Sequence, residues 1–137
     1  MTNLFAYGTL MCRDIMHNVS GCRLTAEPGT LRGYSRRAVR GERYPALIPD
    51  EEGCVNGVVY RNLPHSAWPR LDRFEGEMYA RRSVEIALNN GAMLTADTYV
   101  ARQKFLDRLE SSEWDFEDFL RNGKNDFQRR YGGYQRL

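Results

Sequence analysis

Near its start the chain carries an unbroken apolar run, Leu4-Phe5-Ala6-Tyr7, that stops at Gly8-Thr9-Leu10. So apolar a run reads as a strand, and the glycine after it as a sharp turn. Cys12 to Val19 follows as a short helix, with Ile15 and Val19 on one face and Gly21 as its stop. From Arg23 to Val39 the pattern is polar and broken by Glu27-Pro28-Gly29, which predicts extended segments around a turn. Tyr44-Pro45-Ala46-Leu47-Ile48-Pro49 is extended, because a residue preceding proline is pushed out of the helical region. Asp50-Glu51-Glu52-Gly53 predicts a polar turn, and Cys54 to Tyr60, β-branched and bounded by turn residues, a strand.

Pro64 to Phe74 has helical spacing: Leu63, Ala67, Leu71 and Phe74 fall on one face. Ser66 is placed to cap this helix, Pro69 is tolerated in its first turn, and Gly76 is a natural stop. Val84, Ile86 and Leu88 alternate with their neighbours, so this segment predicts a half-buried strand. Asn89-Asn90-Gly91 then turns the chain into a second strand, Met93 to Val100, completing a hairpin. Trp114 to Tyr131 places Phe116, Leu120, Phe127 and Tyr131 at near-helical spacing, with Gly123 as a point of division. No repeat or flexible linker interrupts this order, so residues 1–137 read as a single domain. Strand, short helix, several strands, helix, hairpin and terminal helix argue for an α+β fold with a mixed or largely antiparallel sheet.

Composition narrows the setting. No apolar run approaches the ~20 residues that span a bilayer, so no membrane partner is expected. Met1-Thr2-Asn3 opens no basic, apolar leader, and the three cysteines, Cys12, Cys22 and Cys54, include no CxxC pair. They read as reduced thiols in a cytoplasmic protein. The net charge is only +2, yet arginine outnumbers lysine eighteen to two. Five arginines fall between Arg32 and Arg43, a strip able to face a partner. The eighteen acidic residues are interspersed with the basic ones, so the broad positive footprint of a nucleic-acid binder is missing.

The search for chemistry begins with exclusions. His17 and His65 stand alone and no cluster has metal-ligand spacing, so no metal is expected. There is no serine elbow, no dinucleotide fingerprint and no phosphate loop, and therefore no expected cofactor. Cys12, just past the turn, is a candidate low-pKa thiol, but the favoured reading is a small buried apolar residue. Two features remain. A strand that turns sharply at Gly8 leaves backbone N–H groups free to hold an anion or carboxylate, the alternative being a purely structural bend. Glu75 sits at the end of the predicted helix, where the helix dipole disfavours a negative charge, with Asp72 one turn earlier. Both effects, and any burial beside Phe74 and Tyr79, raise its pKa toward the value a general base and acid needs near neutrality. The alternative for Glu75 is a solvated side chain paired with Arg73 or Arg81, while Asp72 and Glu77 read as solvated or structural.

Tyr7-Gly8-Thr9-Leu10 after an N-terminal strand, followed by Leu71-Asp72-Arg73-Phe74-Glu75-Gly76-Glu77-Met78-Tyr79-Ala80-Arg81, resembles the γ-glutamylcyclotransferase-like superfamily. The likeness is greatest to its avirulence-induced-gene-like branch. Gly33-Tyr34, the Tyr44 to Pro49 stretch, Ala96 to Val100 and Glu113 to Glu117 extend it over nearly the whole chain. The resemblance implies a small mixed β-barrel with flanking helices. It also implies that Tyr7, Gly8, Thr9 and Leu10 bind the γ-glutamyl part of a small-molecule substrate, that Glu75 is the catalytic carboxylate, and that Tyr79 lines the pocket. The expected reaction needs no cofactor: the substrate's α-amine attacks its own γ-carbonyl, releasing 5-oxoproline and a free amine. A monomer or weak dimer is expected. Where other members carry a basic, glycine-containing stretch after the turn, this chain has Met11-Cys12-Arg13. The competing expectation is a non-catalytic binding module for a small molecule or peptide on the same fold.

Overall fold

The computed structural model describes residues 2–130. Strand β1 (Thr2–Ala6) runs into a 3-10 turn at Thr9–Met11 and helix α1 (Arg13–Ser20). Two long strands follow, β2 (Ala26–Val39) and β3 (Pro45–Leu63), then helix α2 (Ala67–Glu75) and the hairpin β4 (Tyr79–Leu88) and β5 (Met93–Ala101). A 3-10 segment (Gln103–Arg108) leads to a short strand β6 (Leu109–Glu113) and to helices α3 (Phe116–Asp118) and α4 (Lys124–Arg130).

The strands pair in the order β3-β1-β5-β4-β2, and β2 returns to pair along β3, closing a five-stranded barrel with β6 added outside β2. Strand β1 pairs antiparallel with β3 and parallel with β5, so the barrel is mixed. That central place explains the uniform apolar run. Phe5 and Tyr7 face the barrel interior with Leu31, Leu47, Val55, Val59, Val84, Ile86 and Ala96. Leu4 and Ala6 face outward, where α1 covers them with Ile15, Met16 and Val19, and α2 with Trp68 and Leu71. Phe119 and Phe127 join this outer core from the C-terminal segment. The fold is thus α+β, a small mixed barrel with flanking helices.

Two expected turns are absent because barrel closure overrides local signals. Glu27-Pro28-Gly29 lies inside β2, with Pro28 opposite Val58 and Gly29 opposite Gly57. Gly29 also pairs with Leu88, and a Cβ there would lie 2.7 Å from an Ile86 methyl, so glycine marks a close strand crossing rather than a reversal. Asp50 to Gly53 is a wide bulge in continuous β3, since Arg32 pairs with Cys54 and Tyr34 already with Pro49. Ser66 precedes α2 but makes no side-chain capping bond. The expected C-terminal helix is divided at Gly123 as its sequence suggests, with a π-helical turn (Phe119–Gly123) between α3 and α4. Tyr131 lies outside the described residues. Strand β6 carries no apolar alternation and escaped the sequence reading. The Asn89 to Gly91 hairpin, the Gly21 and Gly76 helix stops (φ 76° and 80°) and α1 agree with expectation within a few residues.

Candidate active site

At the end of β1 the chain leaves the barrel through the turn already marked by its glycine. Met11 N–H bonds to the Gly8 carbonyl at 3.0 Å and Cys12 N–H to the Thr9 carbonyl at 3.1 Å. The N–H groups of Gly8, Thr9 and Leu10 make no hydrogen bond to another described residue. The turn's carbonyls, by contrast, are pinned from outside. Tyr60 Oη donates to the Leu10 carbonyl at 2.7 Å, and Arg36 Nη1 donates to the Tyr7 carbonyl at 2.9 Å. The Tyr7 hydroxyl, buried in the barrel, donates to the Tyr99 carbonyl at 2.6 Å. Burial, and then the nearby Glu75, push the Tyr7 phenol well above its ordinary pKa, so it stays a neutral structural donor. A rigid frame therefore holds a turn whose donors are unspent.

Glu75 closes α2, and Gly76 then turns the chain with its N–H bonded to the Asp72 carbonyl at 3.0 Å. The residue is half-buried, but its carboxyl group is surrounded by protein. Desolvation, and secondly the charge of Asp72, raise its pKa to about 8. Burial is thus the larger cause, whereas the sequence argument began from the helix end. Among the described residues no ion pair reaches Glu75. Arg81 turns instead to Asp72 at 3.4 Å and Asp97 at 3.9 Å, with its guanidinium over the Trp68 ring. Asp72 also accepts from Tyr99 Oη at 2.7 Å, and exposed Glu77 pairs with Lys104.

The turn and the carboxyl line one cavity of about 120 Å³. Tyr7, Gly8, Thr9, Leu10, Glu75 and Tyr79 all border it, although Glu75 and Gly8 lie far apart along the chain. Tyr79 borders it with its hydroxyl committed to the Pro45 carbonyl at 2.6 Å. The remaining wall is mostly apolar, built by Leu4 to Ala6 of β1 together with Tyr44, Pro45, Phe74, Met78, Tyr99 and Phe127. Phe74 and Phe127 meet edge to face at 6.3 Å, which ties α2 to α4 across the site.

Apart from Phe74, which the sequence set beside Glu75, sequence reasoning did not single out these wall residues, nor Arg36. The Tyr44-Pro45 step and the spacing of Phe127 were visible, but nothing local says that they converge on one pocket. The arginine strip is not a single outward face. Arg36 turns inward to the Tyr7 turn, Arg43 pairs with Asp126 at 3.2 Å, and Arg40 reaches the Asp107 carbonyl at 3.2 Å. Cys12 is buried and its thiol is pushed up to about 11 by burial, opposite to an activated thiolate. Among the described residues no helix is long and apolar enough to cross a membrane, and no cluster of metal-ligating side chains occurs.

The closed barrel thus sets a desolvated carboxyl and a turn of unspent amides on one cavity, groups whose chemistry is proton transfer and anion binding. A family model described as "Gamma-glutamyl cyclotransferase, AIG2-like" matches residues 4–116. "AIG2-like protein C" of Arabidopsis thaliana is 32% identical over 126 residues, covering 91% of this chain and 73% of its own. "AIG2-like protein B" of the same plant is 33% identical over 120 residues, covering 87% and 69%. The solution structure of an Arabidopsis thaliana protein superposes with a TM-score of 0.72 at 28% identity, covering 96% of this chain and 89% of that one. A structure named "Gamma-glutamyl cyclotransferase" shares the fold, with a TM-score of 0.67 at 16% identity over 98% and 85% of the two chains. The chain belongs to the AIG2-like γ-glutamyl cyclotransferase family.

Proposed function

We propose that the protein is a cofactor-free γ-glutamylcyclotransferase acting on a γ-glutamyl amine or peptide. The observation that carries this reading is the single cavity shared by the Glu75 carboxyl and the Gly8 to Leu10 turn. A γ-glutamyl amide contains both reacting groups. Its α-amine attacks its γ-carbonyl, a new N–C bond closes the five-membered lactam, and the old amide C–N bond breaks. The obstacle is the amine, which is largely protonated at neutral pH, all the more because a free carboxylate on the same carbon stabilises its charged form.

In this reading Glu75, its pKa raised to about 8, is a far stronger base than an ordinary carboxylate and can relieve the amine of its proton. Its carboxylate takes the amine's proton, and the resulting acid returns a proton to the leaving nitrogen. The unspent amides hold the glutamyl carboxylate and stabilise the oxyanion that develops on the γ-carbonyl. Confinement in so small a cavity keeps amine and carbonyl in contact, which replaces a large entropic part of the barrier. Tyr79 serves as wall rather than as a proton carrier, since its hydroxyl is committed to Pro45.

The test is a panel of γ-glutamyl amines, amino acids and peptides, with 5-oxoproline measured as product. Turnover by the wild type and its loss in Glu75→Gln are expected. A Glu75→Gln protein that keeps its rate would remove the assigned role, and no turnover on any compound would favour a binding module.

A further inference from the structure

Arg36 was one member of the arginine strip, and the fold treats it unlike the others. Its side chain is only 11% exposed although it carries a permanent charge. Nη1 donates to the Tyr7 carbonyl at 2.9 Å and to the Asn56 carbonyl at 3.2 Å. Nη2 lies 3.4 Å from Glu113 Oε1, and the guanidinium stands 5.5 Å over the Trp114 ring. Nε is buried and has no hydrogen-bond partner among the described residues. A desolvated cation with an unsatisfied N–H is costly, so a fold needing only filled space there is better served by a neutral side chain. The closest of its hydrogen bonds is the one to Tyr7, at the mouth of the turn.

That carbonyl shares a peptide unit with the Gly8 N–H. The unit is trans and planar, so the C=O and N–H point in opposite directions. An arginine that fixes the oxygen therefore fixes the amide on the far side, at a residue that lines the cavity. It also withdraws electron density from the oxygen, which makes the N–H a stronger donor, as in polarised hydrogen-bond chains. We infer that Arg36 is a positioning residue that acts through the Tyr7–Gly8 peptide, aiming and strengthening the Gly8 N–H for the anionic oxygen of the substrate. It touches no substrate itself. The inference rests on the proposed γ-glutamyl chemistry only for what that oxygen is.

The test compares wild type, Arg36→Met and Arg36→Lys by two independent readouts. One is the ¹⁵N–¹H resonance of Gly8 in the ligand-free protein, which reports polarisation of its peptide without any turnover. The other is kcat and KM per folded molecule on the γ-glutamyl compound that the wild type converts best. In Arg36→Met the Gly8 resonance is expected to move and kcat/KM to fall about tenfold, less than the roughly 100-fold or more that losing an oxyanion donor outright costs, because the Gly8 N–H itself remains. The pH midpoint at which activity rises as Glu75 ionises stays in place. Arg36→Lys keeps the charge and a donor for Tyr7, and recovers part of both signals; being the milder change, it also serves if the methionine variant does not fold. An unmoved Gly8 resonance, or folded variants with wild-type kcat/KM and merely lower stability, overturns the inference. If the wild type turns over no γ-glutamyl compound, the proposed reaction fails while the Gly8 resonance still decides the role of Arg36.

Discussion

Replacing Glu75 with glutamine removes a carboxyl group that is a far weaker acid in the folded protein than in the unfolded chain. Its folded pKa is about 8 against an ordinary 4.5. Below pH 4.5 both states hold the proton and the group costs nothing. Between those values the native state binds more protons than the unfolded one, so stability falls as pH rises. The slope approaches about 1.4 kcal/mol per pH unit, and above pH 8 the accumulated penalty reaches at most about 5 kcal/mol. Solvent in the cavity lowers that ceiling, since Glu75 is only half-buried as a residue. Glutamine keeps the shape without the titration. Urea unfolding of wild type and Glu75→Gln at pH 5, 7 and 9 isolates the effect, because every other titrating group is common to both. The difference is expected to be small at pH 5 and to grow to a few kcal/mol in favour of the variant at pH 9. Parallel stability profiles across this range would falsify the claim that burial perturbs this carboxyl.

Asp72→Asn removes the second cause of the Glu75 shift, so the midpoint at which activity rises with ionisation of Glu75 should move down by less than half of the whole displacement; a midpoint that stays or rises speaks against that coupling. Gly57→Ala sets a Cβ 2.4 Å from the Ala6 carbonyl oxygen and 2.8 Å from the Phe5 ring, where two barrel strands meet. The variant should lose about 3 kcal/mol or more, and a melting temperature close to wild type would contradict so tight a crossing. Tyr7→Phe leaves the Tyr99 carbonyl without its buried partner. A loss of about 1–3 kcal/mol is expected in chemical denaturation, and an unchanged midpoint would mean that water replaces the hydroxyl freely.

Local chemistry carried a good part of this protein. The doubly apolar β1, the glycine after it, the 89–91 hairpin turn and the stops at Gly21 and Gly76 are set by residues a few positions apart, because backbone sterics and burial period act over that range. The same reach exposed Glu75 as a carboxyl in an adverse place. What short-range signals could not supply was closure. Pro28-Gly29 and Asp50 to Gly53 read as turns in isolation, yet β2 and β3 run through them, because a shared ladder of interstrand bonds outweighs a local preference. The dominant cause of the Glu75 shift is also tertiary, since desolvation depends on what packs around the carboxyl. Arg36 shows the division most plainly. By sequence it is one arginine among five in a polar stretch; only the barrel, by bringing β2 against the end of β1, turns that charge inward onto the Tyr7 carbonyl. Residue type set which groups were able to bind an anion or move a proton, and the closed barrel decided which of them meet.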